Sequence, residues 1–436
     1  MYTRTLFFIL FLLFSLHSNA QFSWSTASLS DDRNELAACR VGDKLLFAGG
    51  FSYTPFGQRK VVDIYDIKSG EWSVDSLSEN REEMRVAVAG NKAFFVGWTG
   101  ISANTKLIDV YDADKDEWSV MTSPGDSSFG PIVAYEDKVY FKVKDNLDVY
   151  DCSNESWTTI PIPDFGPDHY VGGSAGAING KLFFGGVYAD DRRRDDVTIY
   201  DIENQSWSTD SLSVARSSVT LLTHNNKVYF AGGILNNYYP TNVIDIYDTE
   251  TNSWSVDSLS IARFSSSGAV WNDHLFIAGG SNHNLSTTFT RVDVLNTKSG
   301  EWQTLEMGTP RYKFGIAVGD NQLFFAGARE KEVYTVDILT ADPNNTTDFY
   351  FQRDLYDIYP NPITQYLNIS IKDARETDQI KRIDIYAIDG MEIYSETPLN
   401  IHDKQTTIDL SKLHRGEYLL KVVSNKGVYS QLIYKN

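Results

Sequence analysis

The stretch Val243–Trp254, VIDIYDTETNSW, decides the fold. Apolar residues alternate with others up to Tyr247, small polar residues make a turn, and a Trp follows seven places after the Tyr. The same seven-residue step joins Tyr65 to Trp72, Tyr111 to Trp118, Tyr150 to Trp157 and Tyr200 to Trp207. Leu295 takes the place of Tyr before Trp302. One spacing used six times is an internal repeat, and repeats of this period mark arrays of one supersecondary unit. Starting from Trp24, the Trp-to-Trp steps are 48, 46, 39, 50, 47 and 48 residues.

Upstream of each Tyr lies a second constant pattern. Ala37–Gly50, AACRVGDKLLFAGG, is an apolar run, a tight turn, another apolar run and a Gly pair, which reads as a β-hairpin. The first Gly falls 25 residues after Trp24, Trp72, Trp207, Trp254 and Trp302, and 28 after Trp157. After Trp118 the glycine is missing and YFKV stands there. Each unit therefore predicts four strands. Strand a carries small residues, b ends at the Gly pair, c carries the Tyr and d the Trp.

Gly doublet, Tyr, Trp and an Arg opening the next unit resemble the Kelch repeat, from about Gln21 to Thr340. The resemblance implies an all-β chain whose first domain is a β-propeller. Seven strand-b positions predict seven blades, and six blades with one divergent stretch is the alternative. Trp24 has no strands a to c before it, and the unit Phe314–Leu339 has no Trp after it. Pairing the Trp24 strand with that last unit closes the ring and leaves no open edge.

Both ends carry other signals. Arg4, the apolar run Leu6–Leu16 and the small residues Ser18, Asn19 and Ala20 read as a signal peptide over 1–20, too short to span a bilayer. No later segment predicts a transmembrane span. Residues 341–352 read as a linker, and residues 353–436 as a small Ig-like β-sandwich. That segment shows Tyr359-Pro360-Asn361-Pro362, then Asp389-Gly390, Gly416, Tyr418 and Lys435. Their order resembles the type A C-terminal sorting domain of the type IX secretion system. The resemblance implies passage across the outer membrane of a Bacteroidota cell, with the secretion machinery as partner and the medium or cell surface as destination.

The net charge of −19 opposes binding to phosphate backbones, so nucleic acid is not expected as a partner. Cys39 and Cys152 fall two units apart and are expected as free thiols.

Five arginines stand nine residues after a Trp: Arg33, Arg81, Arg216, Arg263 and Arg311. They open strand a, in loops that share a face with the long, unlike b–c loops, and such loops suit recognition. Two readings stay open. The arginines hold ligand carboxylates, or they bond neighbouring backbone as part of the generic repeat. Aromatics of the same face, Tyr53, Trp98 and Tyr238 among them, suit a protein or glycan ligand. The expected function is therefore a binding module.

Catalysis has little support. There is no His-Glu-x-x-His pair or Gly-x-Ser-x-Gly turn. No metal or cofactor is expected; Asp112, Asp114 and Asp116 lack the glycine of a calcium loop. The resemblance leaves one rival, a Kelch enzyme acting on a sugar, as a sialic-acid isomerase or mutarotase or a glycan oxidase. Glu35, Glu82 or Glu83 would then supply a general base.

Overall fold

A computed structural model describes residues 22–99, 106–125, 129–165, 173–282, 287–328, 333–341, 356–360, 362–371, 380–387, 392–396, 405–424 and 428–435. The signal peptide expected over 1–20 and nearly all of the linker expected over 341–352 lie outside these residues. Among the described residues the chain is all-β.

The repeat units fold as four-strand antiparallel groups in chain order a, b, c, d. Unit five is Thr220–His224, Lys227–Ala231, Val243–Asp248 and Ser253–Ser258. Units one and two share the 18-residue strand Trp72–Ala89, whose first part is d of unit one and whose second part is a of unit two. The last unit, Gly315–Val318, Gln322–Ala326 and Thr335–Ala341, takes its fourth strand from the start of the chain. Phe22–Ser28 pairs along Thr335–Ala341, with Trp24 opposite Leu339.

The Tyr–Trp step is a register device. Tyr247 lies directly opposite Trp254 across strands c and d, as Tyr65 does opposite Trp72 and Tyr150 opposite Trp157. A cross-strand aromatic pair sets register and covers the sheet face. The Trp rings also reach the neighbouring unit. Nε1 of Trp254 donates to Asp210 at 2.8 Å, and Nε1 of Trp302 to Asp257 at 2.6 Å.

First strands pack side by side in succession: Ala37–Val41, Trp72–Ala89, Phe129–Tyr135, Ser174–Ile178, Thr220–His224, Ser267–Trp271 and Gly315–Val318. Gly315–Val318 then packs against Ala37–Val41. Small residues are required there, because a Cβ on Gly315 would stand 2.5 Å from the Cβ of Ala38. Cores form between successive units, as with Phe183, Val197, Phe230 and Tyr247.

The C-terminal domain has two antiparallel sheets. One joins Tyr356–Tyr359, Tyr366–Ile371 and Gln405–Asp409, and the other Glu392–Glu396, Ile380–Ala387, Gly416–Ser424 and Val428–Lys435. Both give residues to one core, including Leu367, Ile369, Ile408, Ile383, Leu420 and Ile433. Cys39 and Cys152 are free thiols. Burial raises both, Cys152 to about 11.

Gly232 shows why the glycines recur. Its φ is +63°, and a Cβ there would lie 2.6 Å from the carbonyl oxygen of Arg263. Gly300 has φ +77° with nothing within 4 Å of an added Cβ. Gly232→Ala is expected to cost about 2–4 kcal/mol, and Gly300→Ala only about 1 kcal/mol. Urea unfolding midpoints compare them; equal losses would mean that the approach of the next unit adds nothing.

Candidate functional site

Every one of the five repeat arginines is fully buried. Each meets an aspartate of strand c in its own unit, two residues before the Tyr or its Leu substitute. The N···O distances are 2.6 Å for Arg33–Asp63, 3.0 Å for Arg81–Asp109, 2.7 Å for Arg216–Asp245, 2.5 Å for Arg263–Asp293 and 2.7 Å for Arg311–Asp337. Other guanidinium donors go to backbone, Arg33 to Phe47, Arg216 to Gly232 and Phe230, and Arg311 to Gly327, while the buried Nε of Arg33, Arg81 and Arg263 has no hydrogen-bond partner among the described residues. The aspartates also accept N–H groups at the end of the preceding strand d, such as Ser30, Ser78 and Ser260. Burial lowers the pKa of four of these arginines, and the paired carboxylate opposes the shift.

Arg33, Arg81, Arg216, Arg263 and Arg311 are therefore not placed to touch a ligand. A carboxylate from outside would have to displace a buried aspartate and leave it uncompensated. Their backbone carbonyls act outward instead. The Arg81, Arg263, Arg311 and Arg33 carbonyls accept from Gly50, Gly233, Gly280 and Ala328 of the preceding unit at 2.8, 2.9, 2.8 and 3.1 Å. Arginine N–H groups also donate across the junction, Arg216 to the Arg194 carbonyl at 3.1 Å and Arg263 to the Thr241 carbonyl at 3.3 Å.

Two residues past each arginine the backbone is left-handed: Glu35, Glu83, Ser218, Ser265 and Lys313 have φ of 56°, 47°, 57°, 51° and 46°. Four of them form a chain of backbone hydrogen bonds, in which Ser265 donates to Ser218, Lys313 to Ser265 and Glu35 to Lys313, and the Glu35 carbonyl accepts from the N–H of Met84. This brings charged side chains together. Lys313 Nζ lies 2.9 Å from Glu35 and 3.4 Å from Glu83. Burial opposes the Lys313 charge, but the hydrogen bond and charge of Glu35 outweigh it and raise its pKa. Glu82 is buried beside them, and its pKa is raised by desolvation, with Glu35 and Glu83 adding repulsion against the hydrogen bond from Gln58.

The aromatic candidates lie on the same side. Trp98 is 45% exposed and stands opposite Glu82 in the sheet. Tyr53 is half-buried, edge-on to Phe51 and Phe56, and Phe56 is 78% exposed. Tyr238 is 57% exposed, beside Tyr239. Its ring covers the guanidinium of Arg193. Asp112 and Asp116 serve the c–d turn: Asp112 accepts the N–H of Asp114, and Asp116 accepts the Tyr111 hydroxyl.

In the tail, Tyr359 is exposed on its strand, while Pro360 and Pro362 are exposed after it. Tyr418 is buried and its hydroxyl donates to His414 at 2.9 Å. Gly416 pairs with Lys435, and Lys435 is buried with Nζ donating to the Thr364 carbonyl. Asn361, Asp389 and Gly390 lie outside the described residues.

Sequence comparison agrees with these two architectures. The KLHDC2/KLHL20/DRC7 Kelch-repeats domain matches residues 128–328. The chain carries a Kelch-repeat domain. Residues 357–436 match the secretion system C-terminal sorting domain. No curated protein matches the chain. The sorting domain implies a client of the type IX secretion machinery, destined for secretion or the cell surface. Among the described residues no helix is long and apolar enough to cross a membrane. The Kelch match begins in unit three, yet the Arg–Asp pair of units one and two has the same form as those of units five to seven.

Two outcomes are expected. Asp293→Asn, which leaves the Arg263 charge buried and uncompensated, should destabilise the chain by about 3–5 kcal/mol, measured by urea unfolding. A loss below about 1 kcal/mol would contradict the pairing. The second concerns Glu82. A carboxyl with a raised folded pKa binds more protons folded than unfolded, so stability falls as pH rises from the ordinary value near 4.5 through the raised one. Glu82→Gln should flatten that part of the stability–pH curve; an unchanged slope would place the effect elsewhere.

Proposed function

We propose that the chain is an exported binding module in which residues 21–340 form a closed seven-bladed Kelch propeller. Residues 341–352 are the linker, and residues 353–436 are an Ig-like sorting sandwich. The leader over 1–20 takes the chain to the periplasm, and the sorting domain takes it across the outer membrane. The cyclic succession of first strands and the pairing of Phe22–Ser28 with Thr335–Ala341 support seven blades.

The observation that carries the binding reading is the contrast on one face. The repeat arginines are buried, while Trp98, Phe56, Tyr188, Tyr238 and Tyr239 are exposed on b–c loops that differ from unit to unit. Exposed aromatics on unlike loops over a regular scaffold are a recognition surface. The ligand is a protein or glycan, and Tyr53, Trp98 and Tyr238 are its contacts. Screening the full chain against glycan and peptide arrays, then titrating the best ligand, tests this. Trp98→Ala should weaken binding about tenfold or more with unchanged melting temperature. Binding insensitive to Trp98→Ala, Tyr53→Ala and Tyr238→Ala would refute the face.

A second reading rests on Glu82, whose raised pKa beside Lys313 suits a general base in a sugar-active enzyme. Sialic-acid anomer exchange lost in Glu82→Gln would favour it. For export, removal of 357–436 should leave the Kelch region in the periplasm; efficient secretion of the shortened chain would contradict the sorting role.

A further inference from the structure

The b–c loop of unit four holds Asp190 to Asp196, DDRRRDD, and one of its arginines is treated unlike the others. Arg193 lies between two tyrosines, with its guanidinium carbon 5.3 Å from the Tyr188 ring centre and 4.6 Å from the Tyr238 ring centre. Tyr188 faces it across a two-residue hairpin, and Tyr238 comes from the b–c loop of unit five. Asn236 of that second loop fixes the Arg193 backbone from both sides, accepting its N–H at 2.6 Å and donating to its carbonyl at 3.0 Å. Tyr238 is held at φ 65°, where a bulky residue is an outlier. Strain of this kind persists where surrounding contacts impose it, and the contact imposed here is a ring over a guanidinium.

Despite four aspartates in the same loop, Arg193 makes no ion pair among the described residues. Its Nε is buried without a hydrogen-bond partner. Arg194 is the neighbour that approaches Asp190, at 3.7 Å. Two loops of different units thus hold a positive group in a fixed position and leave its charge unanswered. A guanidinium so held matches a carboxylate through paired N–H donors, and stacking on aromatic faces lowers the entropy lost on binding.

We propose that Arg193, clamped by Tyr188 and Tyr238, is a carboxylate-recognition site for an acidic sugar of the uronate class. The proposal deepens the reading of the b–c loops as the recognition face and rests on it. Charge selects the ligand. The four aspartates Asp190, Asp191, Asp195 and Asp196 outnumber the three arginines of the loop, and a surface of that balance disfavours a ligand that brings several negative charges. A single carboxylate on a neutral, hydroxyl-bearing ring fits; a run of acidic residues in a peptide does not. Tyr188, Tyr238 and Tyr239, each more than half exposed, offer flat apolar faces with hydroxyl tips to such a ring.

The test titrates the purified full chain with methyl glucuronoside and with its methyl ester, which keeps the ring and removes the charge, following chemical shifts or heat. The acid should bind about tenfold or more tightly than the ester, a difference of about 1.4 kcal/mol. Arg193→Lys should lose at least about fivefold, because a point charge cannot supply the fork. Arg193→Met should abolish the preference for acid over ester, and Tyr238→Leu, which keeps the charge, should weaken both. Equal binding of acid and ester overturns the proposal, as does undiminished binding of the acid by Arg193→Met. An aspartate-rich peptide binding through Arg193 while the glucuronoside does not would also overturn it. Failure of both sugars while other ligands still depend on Trp98 removes this proposal alone. Failure of every ligand at the face removes the binding reading with it.

Discussion

An arginine and an aspartate buried together in each of five units organise the Kelch region. Neither charge reaches the surface, so each is tolerable only while the other is in place. The fold meets that condition with three elements at once. Strand c brings the aspartate, the loop before strand a brings the arginine, and the end of the preceding strand d brings an N–H to the aspartate. Because the arginine carbonyl also accepts from the preceding unit, a pair that is internal to one unit fixes the junction between two. The glycines follow from this, since the incoming carbonyl leaves no room for a Cβ at Gly232.

Two units depart from the pattern, and in unit four both partners go. Thr198 stands where the aspartate would be, and the loop that would carry the arginine has been lengthened. In unit three Asp148 remains without an arginine, and its carboxylate accepts from Ser123, Gly125 and Thr159. Units whose junctions are built differently are free to carry unlike loops, and the Arg193 clamp spans the b–c loops of units four and five.

The repeat, the strand order and the pairing of the first strand with the last unit were legible because each rests on spacing. Seven residues from Tyr247 to Trp254 give a hairpin with the two rings opposite each other, whatever the rest of the chain does. The role of the arginines was half legible. Asp245 lies inside the phrase that reveals the repeat, two places before Tyr247, and Asp63, Asp109 and Asp293 hold the same place. Every unit with the Arg has that Asp, and unit four has neither, a signal of pairing that was available without coordinates although unit three keeps the Asp alone. The clamp was not legible, since Tyr188 and Tyr238 belong to different units at no repeated spacing. Glu35 and Glu83 were visible only as carboxylates in repeat loops; their shared contact with Lys313 joins three units far apart in the chain.

The arginine segments are thus the joints of the structure and not arms that reach for ligand. Native-state hydrogen exchange at the amides of Gly50, Gly233, Gly280 and Ala328, which donate to the arginine carbonyls, tests this most directly. As joints, these amides should exchange as slowly as the buried b strands and be released only with global unfolding. Exchange at the rate of an open loop, with the b strands still protected, would contradict it.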